Sequence, residues 1–442
     1  MMINLVDNTP TFFPLTQETE GLRMIANQQI GSLIDQHPDL LVFPQCLDDC
    51  ADDLKDQMIF SEYDSYNQSG ERQMNIAPTN MVGFIGVQDT SVSICSRFSP
   101  KEGLGKDYFL HYLLQKALSV NLFNLESNYS EDDQIFDFLL LLFPGMLKQA
   151  LNQGIYKEYQ TFSRNDSNVK GTIDVARHLR TNSPFNGNVS YRSREISYDN
   201  NITELIRHTI EYINSSQFGK SILRSDAETT ECIAQIVSAT PSYIKGNRSH
   251  IIQVNKKSAS HPYYTKYKPL QKLCLRILRH QKIKYGEDSQ KIYGILFDMS
   301  WLWEEYMSKI LPEFTHPQNR KKKGAIYLGT HKAMERYPDL YKGEANGVVL
   351  DAKYKRNVDR NDEHQVITYM YRLQSVYGGF LMPQSDSYGS ICTDLLGYGF
   401  QLGHHYFLVP QEANCYSDFV KKIEANEKTF YSEIQKVCPQ QN

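Results

Sequence analysis

A chain of 442 residues is too long for one ordinary hydrophobic core, so two or three domains are expected. Its 40% hydrophobic and 22% charged residues give a soluble globular composition, and its longest apolar run is too short to span a bilayer. A formal net charge of -4 excludes a uniformly basic nucleic-acid binder, although a total hides local asymmetry.

The first residues, MMINLVDNTPTFFPLTQE, lack the basic start and apolar core of a signal peptide, so a cytoplasmic location is expected. Residues 45–65 carry Asp48, Asp49, Asp52, Asp53, Asp56, Glu62 and Asp64 against Lys55 alone, which suits a protein partner or plain solvation. MVGFIGV and SVSICSRF then read as strands around the turn QDT. DYFLHYLLQKALSVNLF and DDQIFDFLLLLFPGMLKQALNQGIYKEYQ have helical apolar spacing, and the FDFLLLLFPGML run reads as a buried helix. NVKGTIDVARHLRT reads as a strand running into a basic turn. ISYDNNITELIRHTIEYINSS reads as an amphipathic helix capped at Asn200 or Asn201.

Residues 241–285 contain no Asp or Glu and eleven Lys or Arg, with Tyr243, Tyr263, Tyr264, Tyr267 and Tyr285 interleaved. A span this long without an acid favours a polyanion surface over a merely solvated face, with Lys266, Lys268, Lys272, Arg276 and Arg279 as candidate DNA contacts. Beyond it, KIYGILFDMSWLWEEYMSKILPEF reads as a strand and a long helix, with Leu302, Tyr306 and Ile310 on one stripe. RKKKGAIYLGT leads into a strand, and MERYPDLY and GVVLDAKYKR are two more, joined by the turn KGEANG. NDEHQVITYMYRLQSVYGG reads as a helix closed by glycines, followed by the strands GGFLMPQ and HHYFLVP. The expected class is α/β (α+β) and multidomain, with a mixed sheet flanked by helices at the C-terminal end. Three consecutive parts are expected: a strand-rich N-terminal domain over 1–160, a helical, basic middle over 161–285, and a C-terminal domain over 286–442.

The eight cysteines are scattered without zinc-site spacing, as in a reduced intracellular protein. His404 and His405 are adjacent and point to opposite faces of a strand, a poor ligand pair. No Gly-x-Ser-x-Gly elbow and no Gly-x-x-x-x-Gly-Lys-[Ser/Thr] loop appears.

One pattern carries chemistry. Phosphodiester hydrolysis needs an activated water and charge stabilisation on the phosphate, and carboxylates in a water-rich site suit Mg²⁺. Asp339 and Asp351 are 12 residues apart (351 − 339) across a turn, so an antiparallel hairpin brings them to one end of a sheet. Strand alternation sets Asp351 and Lys353 on one face. Glu304 lies on the preceding helix, and Gln365 and Tyr369, four apart, share a face of the following one.

Glu304, Pro338-Asp339, Asp351-Ala352-Lys353 and Gln365-x-x-x-Tyr369, in this order, resemble the PD-(D/E)xK nuclease superfamily, including the Gln-x-x-x-Tyr element of its RecB-like members. FDMSWLWEEYM, VVLDAKYKR and HQVITYMYRL together resemble the McrC-like nuclease subunits of McrBC- and LlaJI-type, 5-methylcytosine-directed restriction systems. The resemblance covers residue 81 to about residue 410. It implies that Asp339, Asp351 and Glu304 bind the metal and that Lys353 is the catalytic lysine, with Gln365 and Tyr369 supporting the site. Glu305 stands beside Glu304 and leaves the helix acid open by one position. Lys355 and Arg356 join the candidate DNA contacts. The resemblance further implies a Mg²⁺-dependent endonuclease that acts on DNA with an McrB-like AAA+ GTPase ring, away from any membrane. Two alternatives keep the same residues: a non-cleaving activator of the GTPase, and a stand-alone RecB-like repair nuclease.

Overall fold

The computed structural model describes residues 2–437 except 15–20, 38–39, 45–53, 67–69, 71, 88–89, 100–106, 119–130, 225, 258–260, 284–291, 318–323, 344–345, 387–388 and 397–398. Its acidic N-terminal segment, with Asp48, Asp49, Asp52 and Asp53, lies outside the described residues. The chain divides into two compact units, residues 1–119 with 288–442, and residues 120–287.

The first unit begins with β1 (Met2–Val6), β2 (Thr11–Pro14), β3 (Leu40–Phe43), β4 (Phe60–Tyr66), β5 (Arg72–Pro78), β6 (Met81–Val87) and β7 (Thr90–Cys95). β6 and β7 form the expected antiparallel hairpin, and β7 alternates buried and half-buried residues along its length. β2, β5 and β4 make a separate antiparallel sheet. On its surface Arg23 pairs with Glu62 and Asp64, and Arg72 pairs with Asp64, so these two acids of the run are matched by arginines.

The second unit packs helices around a small antiparallel sheet, in the order β8 (Glu158–Asp166), β10 (Val189–Ser197), β9 (Thr172–Ile173). Its helix Asn201–Ile213 starts at Asn200, which accepts from the N–H groups of Ile202 and Thr203 while Thr203 Oγ1 accepts from the Asn200 N–H. The basic turn expected after the Gly-Thr-Ile-Asp stretch is a helix, Val175–Thr181, because Asp174 accepts from Arg177 N–H and caps it. The long apolar helix runs Glu131–Leu151 and buries Leu139 to Phe143.

The chain then returns to the first unit. β11 (Ile292–Asp298) inserts between β6 and β3 and completes a five-stranded sheet in the order β1-β7-β6-β11-β3. This insertion is why contacts group the chain into two units, one discontinuous, where the sequence reads as three consecutive parts. The helix Met299–Ile310 follows at once, capped by Asp298, and its Trp303 Nε1 donates to the Leu381 carbonyl at 2.9 Å. After the short pair β12 (Ile326–Tyr327) and β13 (Glu335–Arg336) come β14 (Leu340–Lys342), β15 (Val348–Ala352), β16 (Tyr377–Gln384), β17 (Gly389–Leu395) and β18 (Phe400–Leu408). They form a mixed sheet in the order β14-β15-β16-β18-β17, parallel through its centre and antiparallel at both edges. The helix Arg360–Leu373 covers one face through Val366, Tyr369 and Met370, which join Val349, Phe380, Met382 and Leu402 in a buried cluster.

That helix ends earlier than its sequence pattern implies. Gln374 takes the left-handed position at φ 52°, and Gly378 and Gly379 belong to β16. Gly378 serves packing instead: a Cβ there would stand 2.4 Å from Met370 Sδ. Among the described residues no helix is long and apolar enough to cross a membrane.

Candidate active site

β14 and β15 pair antiparallel with Leu340 opposite Leu350 and Lys342 opposite Val348. Extending this register by one pair sets Asp339 opposite Asp351. The turn between them uses left-handed backbone at Gly343 and Asn346, φ 82° and 61°. Asp339 Oδ2 accepts from the Ala352 N–H at 2.8 Å. Both acids are buried, Asp351 to 1% exposure. Burial, and then the neighbouring Asp351 charge, hold the Asp339 pKa well above the usual carboxylate range, against the pull of Lys353, the Ala352 N–H and His316.

Lys353 Nζ stands 2.8 Å from Asp351 Oδ2 and donates to Gln365 Oε1 at 3.0 Å. Burial works against the ammonium, but Asp351 and Asp339 outweigh it and raise the pKa above the ordinary lysine value. Lys353 is therefore a charged donor here, not a base. Gln365 Nε2 donates to the Tyr369 hydroxyl, which donates in turn to the Tyr337 carbonyl at 3.0 Å. One helical face thus fixes the lysine at one end and the residue before Pro338-Asp339 at the other.

Glu304 and Glu305 occupy different settings. Glu304 lines a cavity of about 610 Å³ together with Ala352, Lys353, Lys355 and Arg356. Glu305 Oε1 is 3.9 Å from His316 Nε2, and His316 Nδ1 donates to the Asp339 carbonyl at 2.8 Å. Among the described residues no three His, Cys, Asp or Glu side chains form a ready metal-holding group, so Asp339, Asp351 and Glu304 are not gathered into one cluster. The pair Asp339 and Asp351 still fits a hard divalent cation. Asp351 Oδ2 is buried against the Lys353 ammonium, 2.8 Å away. Two carboxylate ligands with the remaining positions filled by water are what Mg²⁺ accepts.

The family of McrBC 5-methylcytosine restriction system components matches residues 76–382, more than half of the chain and all of the hairpin and the helix behind it. The chain belongs to this McrBC family. No curated protein matches it. Among solved structures, it is similar to a chain of a half-complex of Thermococcus gammatolerans McrB AAA+ hexamers with bound McrC, with 15% identity and a TM-score of 0.49 over 99% of this chain and 100% of that one. A chain of the Thermococcus gammatolerans McrBC complex has 14% identity and a TM-score of 0.32 over 71% of this chain and 87% of that one.

Two residues beside this cluster escape sequence reading. Asp362 is buried beside the lysines, 3.7 Å from Lys353 Nζ and ion-paired with Lys355. Its signal was the capping pattern Asp359-x-x-Asp362, whose reciprocal side-chain to backbone bonds both form. His316 left no signal, because 23 residues and a chain reversal separate it from Asp339.

The basic span belongs to the second unit. On the helix Tyr267–Ile283, Lys268 and Lys272 are exposed, while Lys266, just before it, and Arg279 are half-buried. Arg276 is only 8% exposed, although i, i+4 spacing sets it on the stripe of Lys268 and Lys272. This helix packs on both Glu131–Leu151 and Asn201–Ile213, and residues 273–278 are buried all round, so Arg276 is not displayed to a phosphate. Tyr264 and Tyr267 are core residues as well, Tyr267 donating to the Gly154 carbonyl at 2.7 Å.

Proposed function

We propose that this chain is the DNA-cleaving subunit of a McrBC-type restriction system. In this reading it is a Mg²⁺-dependent endonuclease of the PD-(D/E)xK kind that hydrolyses phosphodiester bonds and stimulates a partner AAA+ GTPase. The observation that carries the reading is the contact of Lys353 with Asp351 and Gln365 beside Asp339, in a chain of the McrBC family.

Asp339 and Asp351 would hold the ion, with Glu304 available from the cavity wall. Mg²⁺ bound there supplies Lewis-acid charge at the phosphate. The ammonium of Lys353 stays protonated and neutralises negative charge growing on the phosphate in the transition state. Gln365 fixes that ammonium, and Tyr369 holds the segment that leads through Asp339 into β14. Lys355 and Arg356 line the same cavity and supply positive charge for flanking phosphates. Nucleotide hydrolysis falls to the partner, since the sequence has no Gly-x-x-x-x-Gly-Lys-[Ser/Thr] loop.

Plasmid cleavage in the presence of the partner GTPase, GTP and Mg²⁺, comparing wild type with Lys353→Ala, tests the reading. Cleavage is expected only with the intact lysine. Equal cleavage by both proteins ends the nuclease assignment, and GTPase stimulation without cleavage by either leaves a scaffold in its place.

A further inference from the structure

The cavity beside Lys353 has a second wall, and it comes from the other end of the chain. Asn8, Thr9, Asn80 and Arg97, all on or next to the N-terminal sheet, line it opposite the residues already described. We propose that Asn8, Asn80 and Arg97 form a phosphate-binding wall that grips the DNA backbone beside the bond to be cut. This rests on the nuclease reading above and adds the N-terminal sheet to the site.

The wall is built around a fixed guanidinium. The Arg97 side chain is nine-tenths buried, with Nη1 3.7 Å from Asp7 Oδ2 and Nη2 donating to the Tyr354 carbonyl and, at 3.5 Å, to Asn80 Oδ1. Its plane lies over the Tyr354 ring at 4.6 Å. The Arg97 Nε–H is buried without a partner, a donor left unsatisfied on a charged group that faces a polar cavity. Asn80 Oδ1 accepts from Asn8 Nδ2, and Asn80 Nδ2 donates to Ser300 Oγ at 3.0 Å, which sets both amides at the rim.

Charge then selects the ligand. Arg97, Lys353, Lys355 and Arg356 line the cavity against Glu304 as its one acid among the described lining residues. Such a surface offers nothing to an apolar molecule, whereas a phosphodiester anion matches both its charge and its many N–H donors. The wall is also tied to the chemistry. Arg97 holds the carbonyl of Tyr354, the residue after Lys353, and Ser96 Oγ bonds the Tyr354 hydroxyl at 2.7 Å. A phosphate bound by the wall is thereby registered against the lysine.

Binding of fluorescein-labelled duplex DNA to the full chain, in EDTA and over a salt series, tests the wall without cleavage. Arg97→Gln is expected to weaken binding and to reduce the slope of log affinity against log salt by about one. Asn8→Asp replaces the amide donor to Asn80 with a carboxylate at an exposed rim position whose φ of 48° Asp tolerates, and it is expected to weaken binding several-fold with a melting temperature within a few degrees of wild type. In cleavage assays the loss falls on KM. Because Arg97 also ties Asp7 to Tyr354, Arg97→Gln can lower thermal stability, and Asn8→Asp then carries the test alone. Wild-type affinity and slope in Asn8→Asp overturn the proposal. Lys353→Ala judges the underlying reading separately: a variant that still cuts removes the nuclease, while metal-free binding decides the wall.

Discussion

The hairpin over residues 337–356 and the basic span over residues 241–285 both stand out in the sequence for their charged residues, and the fold treats them differently. At the hairpin, the acids and the lysine reach their neighbours: Asp339 bonds Ala352, and Lys353 meets Asp351 and, on the helix behind, Gln365, which meets Tyr369. In the basic span, Lys268 and Lys272 are exposed, Arg276 is buried, and Tyr264 and Tyr267 belong to the core. The difference teaches what spacing encodes. Strand alternation and an i, i+4 step constrain geometry to a few ångströms, whereas a run of like charges constrains only composition. A helix packed on two sides buries whatever its sequence sets there.

The sharpest way to break this comparison is Lys353→Ala. Removing one preorganised charged donor costs on the order of 10²–10³-fold in rate, so plasmid cleavage with the partner GTPase, GTP and Mg²⁺ is expected to fall by that much. Neutralising Lys268 and Lys272 is expected to leave turnover at saturating DNA far closer to wild type. Equal losses in the two regions would mean that the hairpin has no privileged role.

How much of the site was legible follows the same rule. The acids, the lysine and the Gln-x-x-x-Tyr pair were readable because each relation spans one turn of helix or one strand pairing. The hairpin register follows from two apolar runs flanking a Gly-bearing turn. The partnership of Asp7, Arg97 and Tyr354 was not readable: Arg97 and Tyr354 are 257 residues apart, and only the insertion of β11 into the N-terminal sheet brings the two ends of the chain into one unit. The place of β11 beside β6 did not show for the same reason, since no local pattern announces that a late strand completes an early sheet.

That hidden network has its own signature in pH. Burial raises the Asp7 pKa to about 6, against the pull of Arg97. An acid that holds its proton more tightly folded than unfolded favours the fold most below pH 4, and this advantage is lost as pH rises to 6. The loss is about 3 kcal/mol. Urea unfolding of wild type and Asp7→Asn across pH 4 to 7 measures it: the wild type is expected to lose stability relative to the variant by that amount. A pH-independent difference between the two would show that Asp7 is ionised throughout.

Within the basic span the contrast between neighbours is smaller but direct. Arg276→Ala removes a buried stem and head from a packed turn, and a loss of roughly 1–3 kcal/mol in unfolding free energy is expected. Lys268→Gln and Lys272→Gln change exposed side chains and are expected to stay within about 0.5 kcal/mol of wild type. Their effect belongs instead to the salt slope of DNA binding, which falls if they meet phosphate. An Arg276 variant as stable as the two lysine variants would return the residue to the surface and restore the whole stripe as one face.

Tyr369→Phe is the smallest change and the finest probe of the hairpin. It keeps the ring in the cluster with Val366 and Met370 and deletes one hydroxyl. That hydroxyl accepts from Gln365 and donates to the Tyr337 carbonyl, so its loss leaves a donor and an acceptor without their mutual partner, at about 1 kcal/mol of stability. Two consequences meet at one place. The amide of Gln365 is freed to rotate away from Lys353, and the segment carrying Asp339 into β14 loses its tie to the helix. Cleavage is therefore expected to fall a few-fold, mainly in kcat, while DNA binding in EDTA stays as in wild type. A variant that loses the stability but keeps kcat would show that the helix face only packs against the hairpin; one that loses kcat shows that it also positions the lysine.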